Sequence, residues 1–421
     1  MSQRLDIILF GATGLTGKNC IQYLHQLTKS NERSLTWGIA GRCKEKLIQI
    51  QKECSKSIGE SLKDVPIFIA DVNDGESLNK MTASAKVLIN CIGPYQLYGE
   101  AVVLACLETC THHIDVSGEP YYMENIYYKY NRLAKERGIY IISACGYDSV
   151  PADLGVVFMQ QNFEGTLNSV EIYMSAYNKD KNGVRQLNYA TWESAITGKE
   201  NIENLISLRK KQFKKPLPKL FPKLPRRPSL FKSDVTNTWM KRFLGSDRSV
   251  ILRTQRYFHE HENARPVQVN VYEGVDSFVS VQFTKLATNI TNFLLDYKFG
   301  KELLLKYPAF FSLGKFQTDS PTDELSNNIE YKFVLDGSGW DKNVDLKNRP
   351  NKRIICEMSG TNPGYGFTCV CVTLCAIIVL TETDNLPKEG GVYTPGVAFA
   401  KTSLMPQLIQ HGLNFKMSSK I

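Results

Sequence analysis

A chain of 421 residues exceeds what one hydrophobic core usually serves, so two or three domains are expected. Its 43% hydrophobic, 10% aromatic and 22% charged residues are those of a packed globular protein and exclude disorder or a collagen-like repeat. The net charge of +9 is local: ten of the 51 cations lie between Ser207 and Lys232, a stretch without an acid, which argues against a basic docking face and so against nucleic acid.

The opening apolar run, Ile7 to Phe10, is too short for a secretory signal, and eleven cysteines without a Cys-x-x-Cys pair suit a reducing compartment. A cytoplasmic location is expected. Apolar runs suited to buried strands follow at Asp6–Phe10, Leu35–Ala40, Ile67–Ala70, Val87–Asn90, His113–Val116 and Ile139–Ser143. Helical patterns alternate with them at Thr16–Lys29, Lys44–Ile58, Glu76–Ser84, Gly99–Thr109 and Tyr121–Arg137. Such alternation predicts right-handed crossovers and a Rossmann-type, doubly wound parallel α/β domain over residues 1–155.

The first strand runs into Gly11-Ala12-Thr13-Gly14-Leu15-Thr16-Gly17 and then a helix. Glycines there allow a tight turn and close approach of the backbone to a pyrophosphate, while the helix N-terminus favours negative charge. The second strand ends in Gly41-Arg42 where NAD-selective sites place an acid, and a guanidinium suits the 2′-phosphate of NADP. NADP is the expected cofactor, with NAD the alternative. Further strand ends place Asp71 for the adenine amino group and Asn90, Gly93 and Pro94 on the nicotinamide side. Tyr95, Tyr98, Tyr147 and Asp148 are the candidate proton donors near the reacting ring.

Tyr-x-x-x-Lys pairings occur only as Tyr177 with Lys181 and Tyr297 with Lys301, outside the nucleotide-binding strands, which disfavours short-chain dehydrogenase chemistry. No metal site is expected: His259-Glu260-His261-Glu262 lacks ligand spacing and reads as a charged surface patch. Ser207–Lys232 interleaves its cations with five prolines and with Leu217, Leu220, Phe221, Leu224, Leu230 and Phe231, and is expected as an extended arm able to dock on anionic phospholipid. Phe283–Phe316 is aromatic and leucine-rich but broken by charges, which excludes a bilayer span and allows an amphipathic surface element. The apolar stretch Phe367–Leu380 is too short to span a bilayer and reads as a buried helix.

The runs ILFGATGLTG, WGIAGR, VLINCIGPYQLYGE, IDVSGE, YIISACGYDSVPADLG, FLGSDRSVILRTQRY and LPKEGGVYTPGVAFAKTSL together resemble the saccharopine dehydrogenase-like oxidoreductases over essentially the whole chain. The resemblance implies a second, α+β domain (156–359) with a large, mostly antiparallel sheet, and a C-terminal segment (360–421) returning to the first domain. Period-two stretches at Ser169–Tyr177, Pro266–Tyr272, Asp276–Phe283, Ile329–Leu335 and Arg353–Ser359 read as its antiparallel strands. Relatives of this kind include saccharopine reductases, trans-acting enoyl reductases and animal members on lipid droplets or membranes. The reading is an NADP-dependent oxidoreductase acting on a small, apolar or lipid-derived substrate between the two domains, peripheral to a lipid droplet or membrane. The alternatives are a non-catalytic nucleotide-binding scaffold at a lipid surface, and a saccharopine-like amino-acid dehydrogenase.

Overall fold

The computed structural model describes residues 4–30, 34–147, 149–179, 187–275, 278–312, 314, 316–317 and 326–420. Its contacts divide the chain into two compact units, Met1–Val150 with Gly364–His411, and Pro151–Pro363 with Gly412–Ile421.

The chain begins with β1 (Leu5–Phe10), α1 (Leu15–Ser30), β2 (Trp37–Gly41), α2 (Lys44–Ile58), β3 (Ile67–Ile69), α3 (Gly75–Ala83), β4 (Ala85–Asn90), α4 (Tyr95–Thr109), β5 (His112–Asp115), α5 (Pro120–Arg137) and β6 (Tyr140–Ile142). It continues through α6 (Val150–Asn162), β7 (Gly165–Asn178), β8 (Leu187–Asn188), α7 (Tyr189–Glu200), α8 (Ile202–Gln212), β9 (Leu230–Lys232), β10 (Trp239–Arg242), α9 (Asp247–Glu262) and β11 (Gln268–Val275). Then come α10 (Phe278–Leu295), α11 (Lys298–Lys306), α12 (Pro308–Phe311), β12 (Phe316–Gln317), β13 (Ile329–Asp341) and β14 (Lys352–Thr361). The last elements are α13 (Thr368–Thr381), β15 (Gly391–Tyr393), α14 (Leu404–Gln410) and β16 (Asn414–Lys420).

The first unit holds a seven-stranded sheet in the order β15-β6-β5-β4-β1-β2-β3, every pair parallel. Its central strands are unbroken apolar runs, Ile7 to Phe10 and Val87 to Ile89, with no exposed surface, as a sheet covered on both faces requires. The strand order reverses between β1 and β4, and the crevice outside the carboxyl ends of the strands at such a reversal is where ligands bind. α13 supplies part of the cover: every residue from Thr368 to Val379 is buried, and the Cys369 thiol lies 3.5 Å from the Thr16 carbonyl. With the turn before it this helix is apolar and long enough to cross a membrane, yet 78% of its most apolar window is buried, as in a core helix.

The second unit is built on a sheet in the order β16-β14-β13-β7-β11-β10-β9. Its pairs are antiparallel except β7 with β11, which is parallel, so the strand expected at Pro266–Tyr272 forms in the opposite sense. A period of two sets which face a side chain takes and carries no information about strand direction. Asp276–Phe283, expected as a strand, is helical from Phe278 onward; Asp276 and Ser277 lie outside the described residues. Its alternation is short, and the apolar spacing that continues through Leu294 follows a helical period over a longer window.

The basic Pro-rich segment differs from a wholly extended arm. Ser207 to Gln212 complete α8, since the first proline comes only at Pro216, and Leu230–Lys232 pairs with β10. Between them the chain is tied to the sheet. The Arg227 guanidinium grips the buried Glu171 carboxylate at 3.2 Å through Nε and 2.7 Å through Nη2, and Tyr272 donates to the same carboxylate at 3.0 Å. The Pro222 carbonyl accepts from Asn168 at 3.0 Å and Gln268 at 2.7 Å. Glu171→Gln leaves the guanidinium with a neutral acceptor. It is expected to cost about 1–2 kcal/mol and to speed tryptic cleavage at Lys219 and Lys223 severalfold; cleavage at the wild-type rate would show that this pair does not restrain the segment.

Candidate dinucleotide-binding site

At the switch point β1 ends in Gly11, whose φ of +87° is a backbone state that glycine adopts without strain. The amides of Gly11 and Ala12 donate to the Ala40 carbonyl at 3.0 and 3.2 Å, so the loop is anchored on the end of β2. Gly14 N–H closes a turn on the Gly11 carbonyl at 2.9 Å, and Lys18 N–H makes the first helical bond to Gly14 at 2.8 Å. The amides of Leu15, Thr16 and Gly17 therefore precede that first bond, at the positive end of a sixteen-residue helix with no acid in its first turn. Thr13 and Gly14 are exposed over this mouth.

Two glycines are required by space. A Cβ on Gly17 would lie 2.2 Å from the Gly11 carbonyl oxygen, and one on Gly11 would lie 2.9 Å from Ile92 Cδ1. The second contact joins the loop after β1 to the turn after β4, where Cys91 N–H donates to the Phe10 carbonyl at 2.9 Å. Arg42, one residue beyond β2, is exposed with Lys44 and Lys46, and has no ion-pair partner among the described residues. Asp71 is half-buried at the end of β3, where one carboxylate oxygen accepts from Asn73 N–H at 2.9 Å in an Asx turn.

Beyond β4 the polar groups are held inward. Buried Asn90 turns the chain by accepting from Ile92 N–H at 3.0 Å, and its carbonyl takes the Tyr95 hydroxyl at 3.0 Å. Tyr95 packs its ring 5.5 Å from that of Tyr122, and burial raises both phenols well above their ordinary value. Gly93 is exposed, Pro94 is buried, and Tyr98 is half-buried three residues into α4. Tyr147 is buried, with its amide donating to Thr368 Oγ1 at 3.0 Å. Asp148 lies outside the described residues. The structure thus brings Asn90, Gly93, Pro94 and Tyr95 into one turn, beside the loop Gly11–Gly17.

Two buried acids not singled out from the sequence organise this side. Glu119, just before α5, accepts from Tyr95 N–H at 3.0 Å and Gln96 N–H at 2.8 Å, and so caps α4 from another loop. Asp115, the last residue of β5, accepts from Ser117 N–H at 2.9 Å, Ser143 at 2.8 Å, Tyr122 at 3.1 Å and Ala144 N–H at 3.3 Å. Their only advance signal was acidity at a strand end. Among the described residues no cluster of His, Cys, Asp and Glu is arranged to hold a metal ion, and all eleven cysteines are free.

A parallel sheet with this strand order, a glycine loop at its switch point and a cation after the second strand define a dinucleotide-binding domain. Residues 7–142 match the family described as saccharopine dehydrogenase NADP-binding domain. The chain is 37% identical to a saccharopine dehydrogenase-like oxidoreductase of Bos taurus, over 98% of its own length and 97% of the relative's. It is 32% identical to a Caenorhabditis elegans protein named lipid droplet localized protein, over 99% of each chain. A saccharopine dehydrogenase from Saccharomyces cerevisiae shares the fold, with a TM-score of 0.56 at 13% identity, covering 99% of this chain and 100% of that one. The chain belongs to the saccharopine dehydrogenase-like oxidoreductases, and its cofactor is NADP.

Burial pushes Asp115 up to about 6 despite its four donors, and pushes His113, whose Nδ1 is 3.8 Å away, down to about 3. Between its ordinary 3.8 and about 6 the folded Asp115 keeps a proton that the unfolded chain has released, so its contribution falls as pH rises through that window. His113 acts in the opposite sense, withdrawing stability as pH falls from its ordinary 6.5 toward about 3. Asp115→Asn removes the first effect. In urea melts the stability of wild type minus that of Asp115→Asn is expected to fall by roughly 1–3 kcal/mol from pH 4 to pH 7; a rise in that difference would mean that the fold favours the ionised carboxylate.

Proposed function

We propose that this chain is an NADP-dependent oxidoreductase acting on a small apolar or lipid-derived substrate at the cytoplasmic surface of a lipid droplet or membrane. In this reading the amides and close-packed glycines from Gly11 to Gly17 (Ala12, Thr13, Gly14, Leu15 and Thr16 between them) hold the pyrophosphate, and Arg42 takes the 2′-phosphate. Asp71 meets the adenine amino group, and Asn90, Gly93 and Pro94 shape the nicotinamide side. The cofactor bound there would donate or accept a hydride at a substrate carbon.

The chain's own task is to orient that carbon, exclude water and supply a proton to the atom left anionic. Tyr98, Tyr147 and Asp148 are the proposed proton sources. Tyr95, its hydroxyl on the Asn90 carbonyl, would serve only after exchanging that acceptor. Residues 156–359 supply the substrate and lipid side; of the segment 360–421, expected to return to the first domain, Gly364–His411 groups with the first unit, while Gly412 onward joins the second, with β16 on the edge of its sheet.

The substrate class rests on one observation. The turns that follow β4, β5 and β6, Cys91–Tyr98, Val116–Glu119 and Ser143–Ser149, contain no Lys or Arg; of their two acids, Glu119 is spent on capping α4 and Asp148 is a proposed proton source. An amino-dicarboxylate would need cations at those turns, whereas an apolar acyl chain would not. The worm relative's name, lipid droplet localized protein, supports the lipid location.

Two measurements test this. NADPH should be consumed with an apolar enoyl or keto substrate and left untouched by lysine with 2-oxoglutarate; the reverse pattern would make the chain an amino-acid dehydrogenase, and consumption with neither would favour a scaffold. Arg42→Ala should weaken NADPH binding about 10- to 100-fold, the scale of a charge-assisted phosphate contact, with NADH nearly unchanged. Equal weakening of both would remove Arg42 from the phosphate.

A further inference from the structure

The second unit carries a helical lobe with its own core. Trp192 and Ile196 of α7 and Leu304 of α11 are buried together with Leu294, Leu295, Phe311 and Phe316 packed round them, and the Trp192 indole donates to the Leu304 carbonyl at 2.9 Å. Packing of that core accounts for Leu294, Leu295, Leu304, Leu305 and Phe311 and leaves the exposed aromatics beside them unexplained. At the turn from α10 to α11, Phe293 is 61% exposed, Tyr297 46% and Phe299 63%. Their rings touch one another, with centroids 5.4 and 5.6 Å apart, and make a continuous aromatic tip. Phe310 of α12 is 77% exposed as well. Exposed apolar surface gathered in this way marks a contact surface, whereas single exposed residues need no explanation.

The chemistry round the tip favours lipid over protein. Elsewhere on the same lobe, α8, which packs on α7 as α11 does, presents Ile202 and Ile206 one turn apart, both exposed, with exposed Lys210 and Lys211 on its next turn; within the tip Asp296 is exposed between Phe293 and Tyr297. Lys306 is exposed beside the Tyr307 ring, 5.5 Å from its centroid. Lysine is depleted from the centres of protein interfaces, but aromatic rings at headgroup depth with lysines reaching phosphate are the pattern of an interfacial membrane element. We infer that the aromatic tip Phe293–Tyr297–Phe299 is the element this protein inserts into a phospholipid surface. This deepens the lipid-surface reading above and rests on it. The basic segment 207–232 then adds attraction to anionic headgroups without entering the apolar layer.

Flotation of the full-length chain with vesicles of phosphatidylcholine, with and without phosphatidylserine, tests this. Wild type should float with both. The triple variant Phe293→Ser, Tyr297→Ser, Phe299→Ser should lose about tenfold or more of its partitioning into both, with NADPH binding unchanged as the check on folding. Lys214→Ser with Lys219→Ser and Lys223→Ser should reduce only binding to anionic vesicles. Wild type that floats with neither vesicle overturns the lipid-surface reading and this inference together. A folded triple variant that floats like wild type overturns the inference alone. Self-association of wild type in the absence of lipid, abolished in the triple variant, would make the tip an interface between copies and also overturn it. As a measurement independent of that variant, Tyr297→Trp emission should shift to the blue on adding vesicles; unchanged emission counts against insertion.

Discussion

The cofactor side of this protein depends on one close approach, that of the first helix to the loop that precedes it. With a hydrogen in place of a side chain at Gly17, α1 lies against the Gly11 carbonyl at a distance no Cβ could tolerate. That contact brings the amides of the helix mouth, which lack a partner among the described residues, toward the carboxyl ends of β1 and β4, where the strand order reverses. An anion there meets several N–H groups and a helix dipole at once. Gly11 extends the constraint, because the turn after β4 packs where its side chain would be.

The other half of the site is held by buried charge rather than by missing side chains. Glu119 supplies the capping that Pro94, having no side-chain donor or acceptor, cannot give to α4. Asp115 draws the ends of β5 and β6 together through Ser117, Ser143 and Ala144. A buried carboxylate is costly unless its oxygens are fully bonded, and the donors round Asp115 meet that condition while still leaving its affinity for a proton raised. The turns carrying Gly93, Pro94 and Tyr147 thus emerge from a base tied together by buried hydrogen bonds.

Much of the first unit was legible beforehand, because strands buried on both faces are written as continuous apolar runs and the helices between them are of crossover length. The positions of the glycine loop and of Arg42 at strand ends were legible for the same reason, since each follows a recognisable strand. What escaped depended on partners distant in sequence. Glu119 caps a helix that begins 24 positions earlier, and Arg227 reaches Glu171 from 56 positions away. β15 has only three residues, and β16 alternates polar and apolar side chains too weakly to declare itself, although it pairs with β14 along seven positions. The segment from Phe278 shows the converse error, where a brief alternation hid a helical period that only a longer window reveals.

The account stands or falls on the dinucleotide resting at the mouth of α1. The most direct measurement is titration of NADPH and NADH into Gly17→Ala, with Gly75→Ala, whose added methyl meets nothing, as the control. If the account is right, Gly17→Ala keeps its far-ultraviolet circular dichroism but loses both nucleotides together, by about tenfold or more, while Gly75→Ala binds as wild type. A folded Gly17→Ala that binds both with wild-type affinity would place the nucleotide elsewhere and contradict the account.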